Sequence, residues 1–97
     1  MDFTWDEAKN RANIRKHGFD FADAEEMFRG LLLVPPDTRE DYGEERWIGL
    51  GMTRGCVAVV VFTEPEPGKI RIISLRKADY EDRQQYEAAI QDGLEAN

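Results

Sequence analysis

Hydrophobic and polar positions follow two rhythms along this chain. From Glu45 to Thr53 the period is two. Arg46, Ile48, Leu50 and Met52 fall on one face, and Trp47, Gly49, Gly51 and Thr53 on the other, as in a β-strand. Arg54-Gly55 is a tight-turn signal. Residues 56–63 are apolar on both faces, which predicts a central strand covered on both sides. Pro65-Glu66-Pro67-Gly68 marks a second turn. Residues 69–77 then set Ile70, Ile72, Ser74 and Arg76 on one face against Arg71, Ile73, Leu75 and Lys77. Strands joined by tight turns predict an antiparallel meander.

The flanking segments follow helical spacing. A first helix starts near Asp6, where Thr4 and Glu7 have the separation of a capping box, and Gly18 stands where a left-handed stop belongs. Trp5, Ala8 and Ala12 share one side of it while Ile14 lies almost opposite, so its apolar stripe is poor. Either this helix is partly wrapped or Ile14 meets another chain. Lys9, Asn13 and Lys16 project together beside Trp5. Asp20 with Asp23 predicts a second cap, Phe21, Ala24 and Phe28 a short helix, and Gly30 its stop. Leu31–Val34 predicts a short strand ended by Pro35-Pro36-Asp37, followed by an acidic loop through Asp41-Tyr42-Gly43-Glu44. Asp79 caps a last helix in which Tyr86, Ala89, Ile90 and Leu94 form a modest stripe. The expected architecture is one α+β domain over residues 1–97: two N-terminal helices, a four-stranded antiparallel meander sheet and a C-terminal helix.

Composition narrows the setting. The 97 residues are 41% hydrophobic, but no apolar run approaches the length of a bilayer span. Met1 leads straight into Asp2, Trp5 and Asp6, unlike a secretory signal. Cys56 is the single cysteine, which excludes an internal disulfide and a Cys-based zinc site. It reads as a buried strand residue in a reducing cytosol, so the expected location is cytoplasmic, with no membrane partner. The formal charge of −7 and a pI near 4.7 argue against a surface that coats nucleic acid. The charge is uneven, however. Residues 69–77 hold Lys69, Arg71, Arg76 and Lys77 with no acid, while residues 20–47 and 78–97 are strongly acidic. A cationic site can therefore sit on an anionic molecule.

Candidate chemistry is confined to cations at element ends. Gly49 and Gly51 lie inside a strand with no helix after them, so no phosphate loop is present. One histidine cannot anchor a metal site, and no cofactor is expected. Lys16-His17 closes the first helix, Arg46 opens a strand, and Arg76-Lys77 closes another. Histidine is the side-chain type that titrates near neutrality, yet a histidine at a helix C-terminus is also favoured simply by the macrodipole. Arg76, on a face shared with Ile70 and Ile72, either pairs with a helix acid or forms the rim of a groove. Arg46 has the same ambiguity. Trp5 and Trp47 read as core rather than as a base-stacking platform, and the position of Tyr86 on the apolar stripe is compatible with core.

Several segments in order resemble the BrnT family of ribonuclease toxins from type II toxin–antitoxin systems. They are Phe3-x-Trp5-Asp6-x-x-Lys9, Asn13, Lys16-His17-Gly18 with Phe21 and Ala24, then Glu45-Arg46-Trp47-Ile48-x-x-Gly51. Val59-Val60-Val61-x-Thr63-Glu64, Arg71-Ile72-Ile73-Ser74-x-Arg76-Lys77-Ala78 and Tyr86-Glu87 complete the set. The resemblance implies a RelE-like fold and a metal-independent endoribonuclease that blocks translation. It implies neutralisation by a BrnA-like ribbon-helix-helix antitoxin in a complex of two toxins and two antitoxins, with operator DNA bound only through the antitoxin. Metal-free cleavage uses the RNA 2′-OH as nucleophile, so the enzyme must move protons and stabilise a phosphorane. On this resemblance Arg76 and Arg46 stabilise the phosphorane, His17 or Lys9 exchanges protons, and Lys16 and Lys77 hold the RNA backbone. Two departures stand out: Leu75 replaces a small residue, and acidic Asp79-Tyr80-Glu81-Asp82 replaces a basic helix start. The second motivates an alternative, a catalytically weakened binding module that docks the antitoxin and co-represses the operon.

Overall fold

The computed structural model describes residues 1–35, 40–41 and 45–95; for 40, 41, 94 and 95 only the backbone is described. Residues 42–44 of the expected acidic loop and residues 36–37 of the Pro35-Pro36-Asp37 stop lie outside the described residues. Three long elements supply the expected meander: β3 (Glu45–Thr53), β4 (Cys56–Glu66) and β5 (Lys69–Lys77), with β4 running past the expected end at Thr63 through Pro65 and Glu66 of the expected turn. They pair antiparallel in sequence order, and both faces of β4 are buried over most of its length. The β3–β4 turn places Arg54 and Gly55 at φ 53° and 77°, the left-handed pair a two-residue hairpin turn requires.

The sheet is mixed rather than wholly antiparallel. β1 (Asp2–Thr4) precedes the first helix and pairs parallel with β5, so the order is β1-β5-β4-β3, with the two-residue β2 (Glu40–Asp41) added beside β3. Leu31–Val34 does not supply the expected fourth strand; it makes one isolated bridge, Leu33 to Leu50. A three-residue strand with only Phe3 half-buried carries too short an alternation to be seen as a pattern.

Helix α1 (Glu7–His17) is capped by Asp6, whose side chain accepts from the Lys9 N–H at 3.0 Å, and stops at Gly18 with φ 77°. The expected Thr4–Glu7 box is replaced, because Thr4 belongs to β1 and Glu7 accepts instead from the Trp5 indole at 2.9 Å. The second helix begins as a 3-10 turn, Phe21–Asp23, closed by the expected reciprocal Asp20–Asp23 box, and continues as the six-residue α2 (Ala24–Arg29). Helix α3 runs from Tyr80 to Glu95.

Two hydrophobic clusters lie on opposite faces of the sheet. One packs Phe19, Phe21, Ala24 and Met27 against Ala58, Val60, Phe62, Ile70, Ile72 and Leu75. The other packs Leu50, Val57 and Val59 with Ala78 and Tyr86. Trp5 and Trp47 are half-buried against the first cluster, and Tyr86 is buried in the second with its hydroxyl donating to the Leu31 carbonyl at 2.9 Å. These three aromatic rings therefore belong to the packing. Burial raises the Tyr86 hydroxyl above the usual tyrosine value.

The poor stripe of α1 has a specific cause. Its buried residues are Asn10 and Asn13, while Ala8 and Ala12 are exposed and Ile14 keeps 40% of its surface. The helix does not lie flat on a sheet face. It runs beside β5 where β1 has ended, and a strand edge offers backbone donors and acceptors, which amides satisfy and alkyl groups do not.

Candidate functional site

A shallow groove of about 260 Å³ opens between α1 and β5, lined by Lys9, Ala12, Asn13, Lys16 and His17 from the helix and by Ile73 and Ser74 from the strand. The i, i+4, i+7 spacing expected for Lys9, Asn13 and Lys16 places all three there. Asn13 is the floor: its amide donates to the carbonyls of Phe19 (2.9 Å) and Leu75 (2.8 Å) and accepts from the Leu75 N–H (3.2 Å). The helix is thereby fixed at the depth that lets the flanking cations overhang the strand. Asn10 ties the helix instead to the turn that follows it, donating to Asp20 (3.0 Å) and accepting from the Phe21 N–H (2.8 Å). Asp20 is held below the usual carboxylate range by the Ala22 N–H and then by the Asn10 amide.

A β-bulge decides which face of the sheet Arg76 takes. Phe62 pairs with Ile72 but Val61 pairs with Ser74, so Ile73 is an extra residue in β5. A one-residue shift exchanges the faces of every side chain beyond it. Ile70 and Ile72 therefore lie on the α1–α2 side together with Leu75, whereas Ser74 and Arg76 turn to the α3 side opposite Val61 and Val59. The expected shared face for Ile70, Ile72 and Arg76 is thus broken by the bulge. Arg76 stands on the same face as Ser74, about 6.6 Å further along the strand. It pairs with a helix acid, Asp82 of α3, at 3.0 Å. Of the two outcomes foreseen for it, the ion pair with a helix acid is the one observed; Arg76 is not among the residues that line the groove.

The other expected site residues lie apart. Lys77 is exposed and pairs with Ala58, on the opposite face from Arg76. Arg46 is half-buried at the start of β3. Arg76 is level with Val59 and Leu50, so Arg46 sits about 13 Å away along the strands and about 10 Å across them. Ser74 in the groove lining and Asp82 as the partner of Arg76 were not among the expected site residues; a polar residue two places before Arg76 was the available signal for Ser74. Elsewhere, a cavity of about 290 Å³ is lined by Met1, Asp2, Phe3, Trp5, Phe21, Ala22 and Glu25. It is slightly larger but holds no cationic side chain. Among the described residues no cluster of three or more His, Cys, Asp or Glu is placed to hold a metal ion, and no helix is long and apolar enough to cross a membrane.

Fold and groove define a small α+β domain that presents basic side chains at one edge of its sheet. Residues 5–82 match the family model described as the ribonuclease toxin BrnT of type II toxin–antitoxin systems, and the chain belongs to that family. The 1.1 Å crystal structure of the Brucella abortus ribonuclease toxin BrnT is similar. It shares 33% identity and a TM-score of 0.65, with 81% of this chain and 97% of that chain covered. Among curated proteins, none matches the sequence.

Proposed function

We propose that this chain is the toxin of a type II toxin–antitoxin pair and acts as an endoribonuclease in the cytoplasm, with the α1–β5 groove as its active site. The observation that carries the reading is that Lys9, Lys16 and His17 line one groove with Ser74, and that Arg76 stands two residues further along the same strand face as Ser74. Lys9 and Lys16 supply mobile positive charge for backbone phosphates. His17 is the residue suited to take the 2′-OH proton or return one to the leaving 5′ oxygen. Arg76 suits the phosphorane, because its fork matches two non-bridging oxygens. These groups account for proton transfer and charge stabilisation with no metal assigned to either step. Arg46 and Lys77, away from the groove, serve neighbouring phosphates along the bound strand. Blocked translation follows from cleavage of translated RNA.

The family implies an antitoxin. A BrnA-like ribbon-helix-helix protein, two copies bridging two toxins, fits a chain of charge −7, because a DNA-binding partner is basic and the pair is electrostatically complementary. Operator DNA would then be reached through the partner. The test is induction of the chain alone, with RNA cleavage assayed on the purified protein. Growth arrest with cleavage that Arg76→Ala lowers to a small but measurable residual rate supports this reading. Tight antitoxin binding with intact RNA would favour the weakened binding module, for which the acidic start of α3 is the motivating feature.

A further inference from the structure

The Arg76 guanidinium is held through a single nitrogen. Its Nη1 donates to the Lys77 carbonyl at 3.2 Å and to Asp82 Oδ2 at 3.0 Å. A guanidinium Nη carries two N–H bonds, so these acceptors use both. Asp82 is itself fixed. Its Oδ2 accepts from the Asp79 N–H at 3.1 Å and its own N–H donates to Asp79 Oδ1 at 2.8 Å, a reciprocal box at the start of α3. The Asp79 carboxyl is held below the usual range by that Asp82 N–H, with the nearby Arg76 cation as a lesser cause.

A carboxylate that shut an arginine off from phosphate would occupy a two-pronged edge of the fork. Here the contact is at Nη1 alone. The other two-pronged edge, Nε with Nη2, meets no acceptor among the described residues, and the side chain keeps 42% exposure. We propose that Asp82 is a positioning residue: with the Lys77 carbonyl it pins Arg76 so that the Nε–Nη2 edge is presented to two oxygens of the scissile phosphate. The inference rests on the ribonuclease reading above. It assigns a use to an acid that otherwise only removes positive charge from the rim. A long, flexible arginine gains from such anchoring because less rotamer freedom is lost when it meets the transition state.

Asp82→Asn retains an oxygen for the Asp79 N–H but loses the charge that holds Arg76. The expected result is a fall in kcat of about tenfold with KM within about twofold and an unchanged Tm. Asp82→Glu, which suits a capping box, restores most of the rate. Adding Asp82→Asn to Arg76→Ala lowers activity no further, because the two residues act as one unit. Faster cleavage by Asp82→Asn, or an equal loss in the Arg76→Ala background, would overturn the proposal. If the native chain cleaves no RNA, it is the ribonuclease reading that fails. The positioning claim is then read by NMR, titrating a 2′-deoxy oligonucleotide and following the Arg76 Nε–H. Tighter binding by native protein than by Asp82→Asn supports the proposal, and equal binding overturns it.

Discussion

The side-chain amide of Asn13 meets the backbone of Leu75 as a neighbouring strand would, donating to its carbonyl at 2.8 Å and accepting from its N–H at 3.2 Å. β1 ends at Thr4, opposite Arg71, and beyond that point the edge of β5 would otherwise lack a partner at Leu75. One helix residue fills the role of a strand, and it is the same residue that sets the floor of the basic groove. Fold stability and site geometry are therefore joined at a single position.

Asn13→Ala leaves the Leu75 N–H and two carbonyls unsatisfied in a buried setting. The expected loss is about 2–4 kcal/mol, measured by urea unfolding. Asn13→Asp should be worse at neutral pH, because a carboxylate would face the Phe19 and Leu75 carbonyls with no proton to donate. An Asn13→Ala protein as stable as the native one would show that water or a shifted helix replaces the amide.

What was legible in the sequence divides along physical lines. β3, β5 and their turns follow from period-two alternation and left-handed turn residues, which are local. The caps at Asp20 and Asp79 are local too. Three features were not legible. β1 is three residues long and its partner lies more than sixty residues away. α1 buries amides rather than alkyl groups, so a hydrophobic stripe is the wrong signal for it. The bulge at Ile73 reverses the face of Arg76 without any glycine or proline to mark it. For the groove, the helix spacing of Lys9, Asn13 and Lys16 was sufficient, whereas the face of the sheet that Arg76 occupies depended on the bulge.

Close packing between β3 and α2 yields a second stability prediction. A Cβ built at Gly51 would lie 3.2 Å from Met27 Cβ and 3.4 Å from Leu32 Cδ1. Met27 Cβ is fixed to the helix backbone and cannot swing aside as a side-chain tip can. Gly51→Val should therefore push α2 off the sheet and cost about 1–3 kcal/mol in thermal or urea unfolding. No loss of stability would mean that α2 yields without strain.

Acid should weaken the fold through carboxylates that accept backbone N–H bonds. Asp20 is held low by the Ala22 N–H and the Asn10 amide, and Glu26 by the Arg54 N–H and the Thr53 hydroxyl. A carboxyl depressed in the folded chain contributes its full stability above the unfolded value. Below about pH 4 the unfolded chain takes up the proton first, so stability falls until the folded value is passed. Urea midpoints measured from pH 7 down to 3 should be level and then decline. Asp20→Asn should flatten part of the decline, and an identical acid limb in that variant would rule out Asp20 as a contributor.

Salt separates the roles of the groove cations from the net charge. A chain of charge −7 repels RNA at long range, so association depends on a few contacts at one patch rather than on steering. Each lysine that neutralises a phosphate releases a counterion, and losing it should lower the slope of log affinity against log salt by about 0.7 on a single strand. Lys9→Ala and Lys16→Ala should each weaken binding of a single-stranded oligonucleotide and reduce that slope by this amount. Lys69→Ala should change little, because Lys69 lies at the far end of β5, ion-paired to Glu66 at 3.3 Å and absent from the groove lining. An equal effect of Lys69→Ala would mean that RNA is held by general surface charge, and the groove would lose its claim as the site.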